Sequence, residues 1–161
     1  MVSVEIRRTR YDHPDAVKLN DQVQQEYVVR YGDGDLTEMD AAHFDPPLGL
    51  YLLVYDVDGA PVASGGWRAQ DASPEGFADG DAEVKRMFVV PEARGRGLAR
   101  RLLAELEATA AAAGRSRMVL ETGTKQPEAI ALYQSSGYLP VAKFGYYRDH
   151  ELSVCMGKAL G

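Results

Sequence analysis

The chain has a single cysteine, Cys155, among 161 residues. A lone thiol forms no internal disulfide, and no CxxC or His/Cys cluster is present to hold zinc. His13, His43 and His150 are scattered without metal-ligand spacing, so each reads as a surface or turn residue and no metal is expected. No run approaches the roughly 18 consecutive apolar residues of a membrane span, so no membrane partner is expected. The opening stretch, MVSVEIRRTR, lacks the apolar core of a signal peptide, which makes the cytoplasm the expected compartment. Positive charge is also short. Eighteen Lys and Arg stand against 24 Asp and Glu, and a net charge of −6 argues against a nucleic-acid surface. That balance suits a cationic substrate, although a solvated acidic surface is its commoner cause.

What is present suits one domain over residues 1–161: 45% hydrophobic and 26% charged residues, enough to bury a core. Val2 to Arg8 alternates apolar and polar residues and predicts a two-faced strand. Ala16, Leu19, Val23 and Tyr27 carry helical spacing from Pro14 to about Arg30. A breaker, Tyr31-Gly-Asp-Gly-Asp, follows, then a short helical piece near Met39 to His43 that Pro46-Pro47 ends. Leu50 to Asp56 and Val62 to Ala69 flank a Gly-containing turn and predict a hairpin. Asp71 to Asp81 reads as a loop and Val84 to Val90 as a strand. Leu98 to about Ala113 is a strong helix closed by Gly114. Met118 to Thr122 is a buried strand, and Pro127 to Ser136 a short helix stopped at Gly137. Tyr138 to Ala142 and Leu152 to Met156 are two final strands. The order describes a mixed α/β (α+β) domain.

The stretch from Glu83 to Arg101 is the most informative. A strand ends at Val90, and the chain enters a helix through Gly95 and Gly97. The first turn of a helix offers unpaired N–H groups and the positive end of the dipole. Glycines let that backbone approach a ligand, and Arg94, Arg96 and Arg100 add charge, which together describe a diphosphate seat. A tight loop with solvated arginines is the bland alternative. No GxxxxGK[ST] exists, and Gly32-Asp-Gly34 lacks the third glycine of GxGxxG.

Arg94-Gly-Arg-Gly97-Leu-Ala99 resembles the Q/R-x-x-G-x-G/A signature of the GNAT-type N-acetyltransferases. Gln126-Pro-Glu-Ala129-Ile130-Ala-Leu132-Tyr133-Gln-Ser-Ser-Gly137-Tyr138 resembles that family's second motif, N-x-x-A-I-x-L-Y-x-x-x-G-F, with Gln for Asn and Tyr for Phe. The resemblance implies a single-domain GNAT fold. Its sheet is central, mixed and mostly antiparallel, with about seven strands and about four flanking helices. Strands four and five splay around the cofactor. It also implies acetyl-CoA as co-substrate, with the pyrophosphate on the amides of Gly95, Arg96, Gly97, Leu98 and Ala99 near Arg94 and Arg100. Pantetheine would lie along Met87, Phe88, Val89 and Val90 as an added strand, beside Gln126, Ala129 and Tyr133, which share a helical stripe.

Acetyl transfer to an amine needs a free amine, a thioester at attack distance and a proton for the leaving thiolate. An alkyl ammonium, with a pKa of about 10.4, must first lose a proton. By resemblance Tyr133 is the candidate general acid, against a packed aromatic as the bland alternative. Glu83 is the candidate general base, against an ion pair with Lys85 or Arg86, a contact to the substrate ammonium, or a water relay. A free N–H near Val89 would face the developing oxyanion. Candidate acceptor residues are Tyr27, Tyr31, Trp67, Glu121 and Tyr146, with Tyr147 and Arg148 beside them. These aromatics suit a small-molecule primary amine or an amino-acid-like acceptor, and could equally be core. A homodimer is compatible with the resemblance. The alternatives are a non-catalytic acyl-CoA-binding module and a protein-lysine or N-terminal acetyltransferase.

Overall fold

The computed structural model describes residues 3–161. Val2, the start of the expected first strand, lies outside the described residues. β1 (Glu5–Thr9) pairs antiparallel with β2 (Gly49–Tyr55), which pairs antiparallel with β3 (Pro61–Gln70). β2 is buried along its whole length, which accounts for an unbroken apolar run where a half-exposed strand would alternate. β4 (Asp81–Val89), β5 (Arg117–Gly123), β6 (Leu139–Pro140) and β7 (Ser153–Ala159) complete a seven-stranded sheet of order β1-β2-β3-β4-β5-β7-β6. Among the described residues only the β4–β5 pair is parallel.

Both faces of the sheet are covered. α1 (Pro14–Tyr31) lies on the Tyr51 face, where the Tyr51 hydroxyl donates to Asn20 Oδ1 at 3.3 Å. Tyr51 stands opposite Gly66, so Trp67 points to the other face. There its indole N–H donates to Thr109 Oγ1 of α2 (Leu98–Ala112) at 3.0 Å. α2 buries Leu98, Leu102, Leu103, Leu106 and Ala110 as one apolar stripe. α3 (Pro127–Ser135) starts on Pro127, and Tyr138 just beyond it reaches back to Glu107 of α2 at 2.7 Å.

Three details depart from expectation. Among the described residues three α-helices are present where about four were expected. The piece near Met39 to His43 is a single 3-10 turn, Ala41–Phe44, capped by Asp40 and unable to extend into Pro46-Pro47. β6 has two residues because Pro140 offers no N–H to lengthen the ladder, whereas β7 runs on to Ala159. No helix of the described residues is long and apolar enough to cross a membrane.

Candidate active site

β4 and β5 pair over three positions only: Asp81 with Arg117, Ala82 with Met118 and Glu83 with Val119. Beyond them the strands part. On β4 the register against β3 shifts so that Arg86 and Met87 stand opposite Gly65 alone. Arg86 has φ 61°, the one positive φ at a non-glycine among the described residues. An extra residue in one strand bends it and sharpens its twist, which steers β4 away from β5. Holding a non-glycine there costs roughly 1 kcal/mol or more.

The parting leaves a cavity of about 390 Å³. Val84 to Met87 form one wall, Leu120 to Gly123 the other, and Gln126, Ala129 and Tyr133 of α3 close one side. Tyr27 and Tyr31 of α1, Asp35, Tyr147, His150 and Ser153 close the rest. Gly123 is there for close approach, since a Cβ would lie 2.0 Å from the Tyr31 hydroxyl. That hydroxyl in turn donates to Gln126 Oε1 at 3.1 Å, tying α1 to the start of α3.

Tyr133 is buried, and burial raises its phenol to about 12. Among the described residues its hydroxyl has no hydrogen-bond partner, and it lines the cavity. A phenol so placed stays protonated and free to donate. Ala129 lies on the same wall and leaves room for a chain to pass.

At the other end of β4, Gly95 and Gly97 have φ of 81° and 77°, and a Cβ on either would meet nothing within 4 Å. The glycines therefore serve backbone conformation at an unfilled surface. The Val90 N–H is bonded to Val62 O at 2.9 Å within the sheet, so the N–H and C=O of Val89 face the parted edge. Arg94 donates to that Val89 carbonyl at 3.0 Å and pairs with Glu26. Arg96 turns away to grip both oxygens of Asp56, at 3.0 and 3.2 Å, leaving only its backbone at the turn. Arg100 donates to the hydroxyls of Ser135 and Ser136 at 2.8 and 3.1 Å, neutral partners that leave its charge uncompensated. Phe88 and Val90 are core residues, while Met87 lines the cavity.

The candidate acidic and aromatic residues divide. Glu83 is buried at the point where β4 and β5 part and accepts from Arg68 Nε at 2.8 Å and Gln70 at 3.1 Å. It is not part of the cavity wall; it borders a small recess behind, shared with Lys85 and Glu121. Glu121 lines both spaces and accepts from Ser153 Oγ at 2.7 Å; burial raises its carboxyl above the usual range. Trp67 is sealed beneath α2 and, although it pairs with Val84, does not itself line the cavity. Tyr146 is exposed beside Tyr147, whose hydroxyl accepts the Leu36 N–H at 2.8 Å. Arg148 caps its own turn through Gly145 O.

Sequence reading did not single out Asp35, which accepts from Lys85 Nζ at 3.2 Å. Burial pushes its carboxyl up, but Lys85, Thr37 and Arg86 outweigh that and hold it low. The contact joins positions fifty apart, so no local pattern marks it. His150 caps a turn by accepting the Leu152 N–H, and it also faces the cavity. Among the described residues, no three His, Cys, Asp or Glu side chains converge as a metal site would require.

A family model described as "Acetyltransferase (GNAT) family" matches residues 16–138. The chain is 49% identical over 81 residues to an IAA acetyltransferase of Azospirillum brasilense, a match covering 50% of this chain and 53% of that protein. The chain thus spans about half the length of that relative. It is 30% identical over 138 residues to an uncharacterised N-acetyltransferase, YjgM, of Escherichia coli K12, covering 82% of this chain and 79% of the relative. A crystal structure from Klebsiella pneumoniae, assigned as an acyl-CoA N-acyltransferase, superposes with a TM-score of 0.77 at 30% identity, covering 98% of both chains.

Proposed function

The chain belongs to the acetyltransferase (GNAT) family, a family of acyltransferases that use acetyl-CoA as co-substrate, and from that premise we propose that it acts as one domain transferring acetyl directly to a primary amine of a small molecule. The observation that carries this reading is the unpartnered phenol of Tyr133 on the wall of a cavity between two parted strands. The residues fit acetyl-CoA. The turn from Gly95 to Leu98 offers unencumbered backbone at a helix N-terminus for the diphosphate, with Arg100 beside it. The parted edge of β4 offers the Val89 N–H and C=O to an extended amide arm, once Arg94 releases the carbonyl.

The acceptor ammonium gives one proton to a carboxylate, the free amine attacks the thioester carbon, and the second proton shed by the nitrogen restores the Tyr133 phenol after it protonates sulfur. A C–N bond forms, the C–S bond breaks, and Tyr133 protonates the leaving sulfur. Glu121 is the better placed base, because it faces the cavity and its raised pKa brings it closer to the operating pH. Glu83 is held through Oε1 by Arg68 and Gln70 and borders the recess behind rather than the cavity, so it is assigned the role of positioning the apex of the site. Proximity within the cavity contributes on the order of 7 kcal/mol in favourable cases. The bounded volume of about 390 Å³, flanked by Tyr27 and Tyr31 of α1, supports a small acceptor over a protein lysine.

Thiol release from acetyl-CoA across a panel of primary amines tests the function. At least one amine is expected to raise release well above background hydrolysis. Tight acetyl-CoA binding with no amine-dependent release would favour a non-catalytic binding module instead.

A further inference from the structure

Resting on the reading of this cavity as the acceptor site, we infer that Arg86 anchors an anionic group of the acceptor, so that the amine acetylated here carries a carboxylate. Arg86 sits on the cavity wall at the bulge of β4, its side chain only 4% exposed. Among the described residues its guanidinium makes no hydrogen bond, and its Nε is buried without any partner. The nearest carboxylate, Asp35, is 3.8 Å from Nη2, too far for a hydrogen bond. Asp35 is already committed to Lys85 Nζ at 3.2 Å and to the Thr37 N–H at 2.9 Å.

The neighbouring buried charges contrast with this. Arg68 is matched by Glu83 and Arg117 by Asp81, each at 2.8 Å. Of the charged side chains on the cavity wall, Asp33, Asp35, Lys85, Arg86 and Glu121, Arg86 alone makes no hydrogen bond among the described residues. A buried guanidinium without hydrogen bonds is costly, and its fork matches a carboxylate in a bidentate pair. The acetyl-CoA phosphates belong to the turn at Gly95 to Leu98, so they do not supply the missing anion. Glu121 on the opposite wall complements the other end of the same ligand, its amine.

The test titrates glycine, β-alanine, 4-aminobutyrate, glutamate and phenylalanine, each against its carboxamide, into the CoA-loaded protein by calorimetry. An aminoalkylphosphonate arm separates carboxylate from phosphate recognition. Transfer rates are measured on the same pairs. In the wild type the best carboxylate is expected to bind about tenfold or more tightly than its carboxamide, as a charge-assisted pair implies. Arg86→Gln is expected to bring that ratio close to one, and Arg86→Lys to keep part of it. A merely structural arginine would not alter the ratio. The inference is overturned if no carboxylate outbinds its carboxamide, if the phosphonate alone is preferred, or if Arg86→Gln keeps the wild-type ratio. Carboxylate preference without transfer would support the anchor and count against the proposed enzyme activity alone.

Discussion

The two ends of the β4–β5 pair are built by opposite rules. At the closed end, Asp81 is 1% exposed and receives Arg117 through both oxygens, at 2.8 and 2.9 Å, and also the Ala78 N–H. Glu83, next to the split, is likewise matched by Arg68 and Gln70. At the parted end, Arg86 takes a left-handed backbone conformation and no hydrogen bond, and the Tyr133 hydroxyl has no partner among the described residues. Single unpartnered atoms also occur away from the cavity, at Ser64, Arg96 and Arg115, but among the described residues only this cavity brings together an arginine without any hydrogen bond and a free phenol, the arrangement a ligand would complete. The closed end holds the sheet together, and in the proposed function the parted end carries the chemistry.

Breaking the closed end should have the largest effect on the fold. Asp81→Ala strips a buried carboxylate from Arg117, whose side chain stays a third exposed. The expected loss is about 3 kcal/mol, the low end for breaking a buried pair. For a chain of this size that lowers Tm by roughly 10 °C. An unchanged Tm would mean that the closed end does not clamp the strands.

The next comparison sets Glu121→Gln against Glu83→Gln. Burial raises the Glu121 carboxyl, so its charged, basic form is lost as pH falls through a value above the ordinary carboxylate range. The acid limb of kcat/KM in the wild type should reflect that group and disappear in Glu121→Gln, with turnover reduced about a hundredfold. Glu83→Gln should keep the acid limb. The sign for stability runs the other way. A carboxyl raised on folding contributes stability below its unfolded pKa and loses it as pH rises through the folded one, so Glu121→Gln should match or exceed wild-type Tm at pH 8. Acid limbs behaving in the opposite sense would return the base role to Glu83.

Smaller effects are expected at the anion turn. Gly97→Ala adds a methyl that meets nothing, so its cost is conformational: about 1 kcal/mol in stability and a weaker grip on acetyl-CoA by up to tenfold. Arg96→Ala should change least. It removes a partly exposed pair with Asp56, for less than about 1 kcal/mol, and should leave acetyl-CoA affinity nearly unchanged. Calorimetric titration of both variants separates backbone from side chain at this turn.

Much of this contrast was legible in the sequence, and the illegible part has a common cause. The glycine turn before α2, the hairpin of β2 and β3, and the stripe carrying Ala129 and Tyr133 are local patterns, and each holds in space. Trp67 failed as a cavity residue because strand periodicity separates two faces without saying which one meets the helix. Arg96 reads as charge beside a phosphate seat until a distant Asp56 takes it. Glu83 and Arg86 lie three residues apart on one strand, yet one is matched and the other is not. That difference depends on a bulge and on Asp35, both fixed by contacts across the fold.

The most direct test of the account is to measure kcat and acetyl-CoA affinity together for Tyr133→Phe. If the parted end is the reaction site, turnover on the best amine falls at least about a hundredfold. Tm and acetyl-CoA Kd should stay near wild type, because the lost hydroxyl has no partner among the described residues. Unchanged turnover, or losses of equal size in turnover and affinity, would contradict it.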